Sequence, residues 1–149
     1  MISKIIVPYD GSKTSQRAAL FAIDLAKQLT ASITVLSVID DRSLIAQTVS
    51  ASETPRHNVE PIEDYLREAA EGYARDIKKM CDKSGVASTI VIKKGNPVEV
   101  IVKEAKKSKA NLIVMGSHGR SALFATVLGS VSFGVIHNDK SLPVLIVRG

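Results

Sequence analysis

The chain alternates between short apolar runs and longer stretches with helical periodicity, and this alternation limits the possible folds more than any other feature. The apolar runs are rich in Val, Ile and Leu, and they lie at residues 4–7, 31–39, 87–92, 112–115 and 144–147. Runs of this length without polar alternation are typical of strands covered on both faces. Helical patterns separate them, at about residues 12–29, 62–85, 96–108 and 129–137. The alternation predicts an α/β fold with three layers, in which helices cover both faces of a five-stranded parallel sheet.

A glycine-rich stretch joins the fourth predicted strand to the last predicted helix. Its spacing is Gly116, two residues, Gly119, nine residues, then Gly129 and Ser130. Glycine lets the backbone approach a ligand closely, and a helix N-terminus offers unpaired N–H groups and partial positive charge. The hydroxyls of Ser130 and Ser132 are further possible donors, so the stretch predicts a phosphate site. It is neither a Walker A loop nor the dinucleotide fingerprint, because the Lys-Ser/Thr pair and the Gly-x-Gly-x-x-Gly spacing are both absent.

Three separated motifs, in this order along the chain, resemble the universal stress protein family in its ATP-binding branch. They are the opening at residues 5–12, the glycine spacing and the ending at residues 142–147. The resemblance implies a Rossmann-like, adenine nucleotide alpha hydrolase-like fold with the sheet order 3-2-1-4-5. It also implies ATP binding, a role in stress response or regulation, and a homodimer formed through the C-terminal strand. That strand fits such an interface, since Pro143 alone protects it as an apolar edge.

In the order 3-2-1-4-5, the first and fourth strands are neighbours, and the winding of the sheet reverses between them. Ligands of open α/β sheets bind outside the carboxyl ends of the strands at such a point. The residues predicted to bind the nucleotide follow the first, second and fourth strands or begin the last helix. They are Pro8, Tyr9, Asp10, Val38, Ile39, Met115, Gly116, His118, Gly119, Arg120, Gly129, Ser130, Val131 and Ser132.

Several of these residues have a second interpretation. Asp10 is a candidate for holding a ribose hydroxyl or a divalent metal, Mg²⁺ or Mn²⁺, that bridges the phosphates, but Asp-Gly is also common in turns. Val38 and Ile39 fit an adenine pocket and a core position equally well. Arg120 fits a phosphate contact or a solvated surface, and a lone loop histidine such as His118 is more often structural than catalytic. The glycines fit simple turns as well as a phosphate site.

Two classes of function fit these features. The first is a nucleotide-binding regulatory module, and the second is a slow ATPase or phosphotransferase with a metal on Asp10 and with Ser130 or Ser132 near the γ-phosphate. The P-loop lysine and a recognisable nucleophile–base–acid set are missing, which favours the binding module. A flavodoxin-like flavin protein or phosphoreceiver is a third interpretation. The glycine spacing argues against it, and a receiver would need several acids around one pocket.

Length and composition indicate the number of domains, the kinds of partner and the cellular location. A chain of 149 residues predicts one domain, residues 1–149. The net charge of +5 comes from scattered basic residues without an aromatic surface between them, so no nucleic acid partner is expected. Cys81 has no second cysteine to pair with, and neither a signal peptide nor a membrane-spanning run is present. These features predict a cytoplasmic protein with no membrane association.

Overall fold

Parallel strands and the helices that connect them make up the part of the chain that the computed structural model describes, which is residues 1–40, 59–118 and 128–149. The strands are β1 Lys4–Pro8, β2 Ser32–Asp40, β3 Ser88–Gly95, β4 Leu112–Gly116 and β5 Val144–Val147. The helices are α1 Lys13–Leu29, α2 Val59–Lys83, α3 Pro97–Lys107 and α4 Ser130–Asn138. Strands and helices alternate among these described elements, as the hydrophobic pattern predicts.

The sheet has the order β3-β2-β1-β4-β5, and every pair of neighbouring strands is parallel. This confirms the expected order. β1 lies between β2 and β4, with Ile6 opposite both Thr34 and Ile113. β5 pairs only with β4 and forms one edge of the sheet, while β3 forms the other.

Two hydrophobic cores lie on opposite faces of the sheet. In β1, Ile5 and Val7 face the core beneath α1 and α2, whereas Ile6 faces the core beneath α3 and α4. All three are at most 1% exposed. Because successive side chains of a strand point to opposite faces, a central strand with helices on both sides must be apolar throughout. The helices thus change face between β1 and β4, and the winding of the sheet reverses there.

Polar side chains cap the N-termini of α1 and α3. The Ser12 hydroxyl accepts a hydrogen bond from the Ser15 N–H at 3.2 Å at the start of α1. At the start of α3, the Asn96 carboxamide accepts from the Glu99 N–H at 3.3 Å, and Pro97 follows it as the first helical residue. Such caps satisfy N–H groups that have no acceptor within their own helix.

β3 is longer than predicted. The apolar run ends at residue 92, but the strand continues to Gly95 because β2 continues beside it, with Ile39 opposite Lys94 and Asp40 opposite Gly95. Residues 41–58, between β2 and α2, lie outside the described part of the chain. Among the helices that the structure describes, none combines the length and apolar character needed to cross a membrane.

Candidate functional site

A cavity of about 400 Å³ opens at the carboxyl ends of β1, β2 and β4, where the helices change face. Most of the predicted site residues line it. They are Pro8, Tyr9, Asp10, Val38, Met115, Gly116, His118, Gly129, Ser130, Val131 and Ser132. Gly119 and Arg120 lie outside the described residues. Loops that are far apart in sequence thus meet at one cavity because parallel strands place their carboxyl ends along the same edge.

Ile39 is not among the residues that line the cavity, which fits the core position that the sequence also allows. It is 4% exposed, whereas Leu36, Val38 and Asp40 all face the cavity. Leu36, Val38 and Asp40 are two residues apart along β2, so their side chains point to the same face of the sheet. The Ile39 side chain points to the opposite face. The same alternation, applied to the sequence, would have found Leu36 and Asp40.

Sequence reasoning also missed Ser15, Pro97 and Ile101, which line the cavity from α1 and α3. Ile101 is 2% exposed and belongs to the core between the sheet and α3 and α4. In the sequence it is one apolar residue of an amphipathic helix, with no sign that its helix closes the cavity. With Leu36, Val38 and Met115, it forms an apolar wall.

The N-terminus of α4 forms another part of the cavity lining. Gly129 is its N-cap and provides no side-chain hydrogen bond to the first turn. The first N–H groups of a helix have no acceptor within the helix, and they carry partial positive charge. Ser130, Val131 and Ser132 supply these groups, and all three residues line the cavity. This end of the cavity therefore suits an anion.

Gly129 and Gly116 are required for close packing of the backbone. The Gly129 N–H donates to the Ser117 carbonyl at 2.6 Å, so this N–H is already engaged within the protein, while Gly129 itself lines the cavity. A Cβ atom added at Gly129 would lie 2.9 Å from the His118 Cα atom. One added at Gly116 would lie 3.0 Å from backbone atoms of Thr14. Both distances are shorter than a carbon–carbon contact.

Ser130 and Ser132 differ in what their hydroxyls can do. Ser132 is 3% exposed, and its hydroxyl donates to the Gly116 carbonyl at 2.8 Å. Its predicted role as a phosphate donor is therefore wrong for the hydroxyl, which fixes the first turn of α4 to the end of β4. Ser130 is exposed at the mouth of the same turn. Ser130 is thus the hydroxyl in this turn that can reach a ligand.

The position of Asp10 is compatible with both of the interpretations that the sequence allows. One carboxylate oxygen accepts the Ser12 N–H at 2.9 Å, which is turn chemistry. The side chain is also exposed and lines the cavity, as does Asp40 at the end of the neighbouring strand. Among the described residues, no group of three His, Cys, Asp or Glu side chains could hold a metal by itself. Mg²⁺ in nucleotide sites needs only one or two carboxylates besides phosphate and water, so Asp10 fits a metal that arrives with a phosphate ligand.

Tyr9 contributes to the cavity from a rigid position. Its N–H donates to the Leu36 carbonyl at 2.8 Å, and its carbonyl accepts from the buried Ser37 hydroxyl at 2.8 Å. The residue is 5% exposed and packs in the core beneath α1 and α2. Burial raises the pKa of its phenol, and a hydrogen bond with Gln16 partly opposes this. Tyr9 is therefore a neutral wall residue at physiological pH.

His118 lies where the glycine-rich stretch leaves β4. Its Nδ1 atom is 3.1 Å from the Ser117 hydroxyl, and its carbonyl accepts a hydrogen bond from the Thr14 hydroxyl. Ser117 is 8% exposed and is held by its own backbone, since its N–H donates to Val147 and its carbonyl accepts from Gly129. The Ser117–His118 contact is thus part of a tightly bonded turn, as the structural interpretation of His118 predicts.

Comparison with known proteins identifies relatives over the whole chain. The model of the universal stress protein family matches residues 1–148. Universal stress protein MJ0531 of Methanocaldococcus jannaschii is 35% identical over 99% of this chain and 83% of its own length. The solved structure of MJ0577 from the same organism has a TM-score of 0.87 at 30% identity, and the match covers 100% of this chain and 97% of that chain. A universal stress protein solved in complex with cAMP has a TM-score of 0.58 at 26% identity, covering 99% and 97% of the two chains.

Proposed function

The chain belongs to the universal stress protein family, and on this basis we propose that it is an ATP-binding regulatory module of the stress response. One observation carries the proposal: at the point where the winding reverses, an apolar wall and a helix N-terminus with no side-chain cap line the same cavity. An adenine nucleotide has the matching parts, which are a flat apolar base and an anionic phosphate chain. The relative bound to cAMP supports the same class of ligand.

The residues divide between the two ends of the ligand. The base lies against Leu36, Val38, Ile101 and Met115, and backbone groups at residues 38–40 select adenine over guanine. The phosphates lie at the first turn of α4, where N–H groups and the exposed Ser130 hydroxyl face them. This arrangement holds charge at one end and excludes water from the other.

A divalent metal, Mg²⁺ or Mn²⁺, belongs to this proposal as a companion of the phosphates. Asp10 would hold it, with Asp40 as a second carboxylate at the same cavity. When bound, the metal would neutralise phosphate charge. No Lys or Arg is among the described residues that line the cavity, which is why a metal is needed beside two carboxylates.

A slow ATPase is the second candidate, and the presence of both Asp10 and Asp40 at the cavity favours it. A carboxylate that does not hold the metal can orient water. The binding module remains the first choice because the Ser132 hydroxyl, once a candidate for a place near the γ-phosphate, is bonded to Gly116.

The proposal includes a cytoplasmic location, a chain that acts as one domain and a homodimer through β5. Cys81 is buried and unpaired, as expected where thiols stay reduced. β5 is an apolar edge strand, and its four residues are all only partly buried. A second copy of β5 would satisfy the free N–H and C=O groups of this edge.

The experiment that tests the function is analysis of nucleotide in the purified protein. Mass spectrometry of an acid extract, followed by calorimetric titration of the stripped protein, should show retained adenine nucleotide and preference for ATP over GTP. Turnover of added ATP to ADP would favour the enzyme. Failure to bind ATP with or without Mg²⁺ would contradict both candidates.

A further inference from the structure

We propose that Thr14 is a positioning residue for the phosphate end of the site, an inference that rests on the proposed nucleotide function. Thr14 lies in the first turn of α1 and is not among the residues that line the cavity. It is 6% exposed, and its hydroxyl donates to the His118 carbonyl across 104 positions of sequence. The sequence gives no sign of this contact.

The contact matters because His118 supports the N-cap of α4. Gly129 packs closely against His118, since a Cβ atom added at Gly129 would lie 2.9 Å from the His118 Cα atom. The Gly129 N–H also donates to the Ser117 carbonyl at 2.6 Å. A shift of the backbone at His118 would therefore move Gly129, and with it the N–H groups of the first turn of α4.

Thr14 touches the same region through its other atoms. Its backbone and Cβ atoms lie 3.0 Å from the position of a Cβ at Gly116, and its methyl group packs against Gly149. The Ser12 hydroxyl lies 3.3 Å from the Thr14 hydroxyl and completes its surroundings. Thr14 thus lies in the first turn of α1 and contacts both the end of β4 and the residues after β5. Replacing the hydroxyl by a methyl group would leave the His118 carbonyl without this donor.

The test compares Thr14→Val with Thr14→Ser by calorimetric titration with ATP and with adenosine. Thr14→Val keeps the shape and loses the donor, so ATP binding should weaken about tenfold, while adenosine binding should change less than twofold. Thr14→Ser keeps the donor and should bind ATP within about twofold of the natural chain. A role in stability alone would weaken both ligands equally, and this result would overturn the proposal.

Thr34→Val is the matched control, because Thr34 also shares a hydroxyl contact, with Thr89 at 3.4 Å, but lies on β2 away from the cavity. It should bind ATP like the natural chain. If Thr14→Val does not fold, Thr14→Ala and Thr14→Ser give the same comparison, and equal ATP affinity in that pair would overturn the proposal. Absence of ATP binding by the natural chain would instead contradict the proposed function, so the two failures are distinguishable.

Discussion

The Ser132 hydroxyl donates to the Gly116 carbonyl at 2.8 Å, and this bond fixes the first turn of α4 to the last residue of β4. Two residues of the glycine-rich stretch, 16 positions apart, are therefore partners of each other. The described part of the stretch is held at its base by its own polar groups, and the exposed Ser130 lines the cavity together with the rest of the first turn of α4.

This hydrogen bond predicts that substitution of Ser132 lowers stability, whereas substitution of Ser130 weakens ATP binding. Ser132→Ala leaves the Gly116 carbonyl without its donor and should lower the free energy of unfolding by about 1–3 kcal/mol. Ser130→Ala removes an exposed hydroxyl and should leave stability within about 0.5 kcal/mol, while weakening ATP binding severalfold. Urea unfolding and calorimetric titration of both variants measure this. Equal loss of stability in the two would contradict the assignment.

Gly129→Ala should be damaging even though alanine is small. Its Cβ atom would lie 2.9 Å from the His118 Cα atom, and a backbone atom cannot move away as easily as the end of a flexible side chain. We expect a loss of about 1–3 kcal/mol in unfolding free energy and at least a tenfold loss of ATP affinity, which corresponds to about 1.4 kcal/mol.

The matched control is Gly72→Ala in α2, where an added Cβ atom meets nothing within 4 Å. Alanine is the better helix former by about 1 kcal/mol, so this variant should gain stability and bind ATP unchanged. Retained ATP affinity in Gly129→Ala would show that α4 does not depend on this close approach.

Asp10→Asn should separate the two roles of Asp10. The carboxamide oxygen can still accept the Ser12 N–H, so the turn and the stability should be kept. The lost charge should weaken ATP binding about tenfold in the presence of Mg²⁺ and much less in EDTA, because a neutral amide is a poorer ligand for a hard cation. Titrations under both conditions measure this. An equal effect with and without metal would rule out a metal at Asp10.

Asp139 should make stability depend on pH. Hydrogen bonds from the Ser141 hydroxyl and N–H to one of its oxygens lower the pKa of this carboxyl, and Lys106 lies 3.8 Å from the other. When the pKa of a carboxyl is lower in the folded chain than in the unfolded chain, its charged form stabilises the fold at pH values above the unfolded-chain pKa. This stabilisation is lost as the pH falls through the folded-chain pKa.

The expected result is that Asp139→Asn is less stable than the natural chain at pH 7, and that the difference shrinks below about pH 4. Unfolding free energies measured from pH 7 to pH 3 on both proteins give this comparison. A difference that stays constant over the whole range would show that the charge of Asp139 does not contribute.

The proposed dimer requires a test at the backbone of β5. The Pro143 carbonyl accepts a hydrogen bond from Ile113 in β4, and the Val147 carbonyl accepts one from Ser117 just after β4. The alternate residues Val144 and Ile146 therefore direct their backbone groups to the open edge. Ile146→Pro removes an N–H at that edge and should give a monomer, whereas Ile146→Thr keeps the N–H and should remain dimeric. Light scattering at micromolar concentration distinguishes them. A natural chain that is monomeric there would contradict the dimer.

The sequence alone would suggest a different test of the dimer, in which Leu145 and Val147 are substituted by lysine. Leu145 and Val147 pack against the core beneath α1 and α2, so lysine there would disturb folding as well as pairing. Val144 and Ile146 pack against the core on the other face of the sheet, so both faces of this edge strand are partly covered.

The sequence by itself determined the order of elements, the parallel sheet and the region of the site. Continuous apolar runs require helices on both faces, and Ser12, Asn96 and Pro97 mark helix ends through short-range bonds. These are local properties, so a reader of the sequence can find them. Once the strand order is known, parallel strands bring residues 8–10, 38 and 115–118 to one edge.

Only the tertiary structure decided which groups of the site are free. The Gly129 N–H and the Ser132 hydroxyl look like ligand donors in the sequence, but packing brings each of them to a carbonyl at the end of β4 or just beyond it. Ile101 joins the wall because α3 crosses the cavity, and Thr14 reaches His118 because α1 packs on β4. The physical reason is that a buried polar group bonds to whichever partner the packing brings within about 3 Å, and contacts between distant residues leave no periodic trace in the sequence.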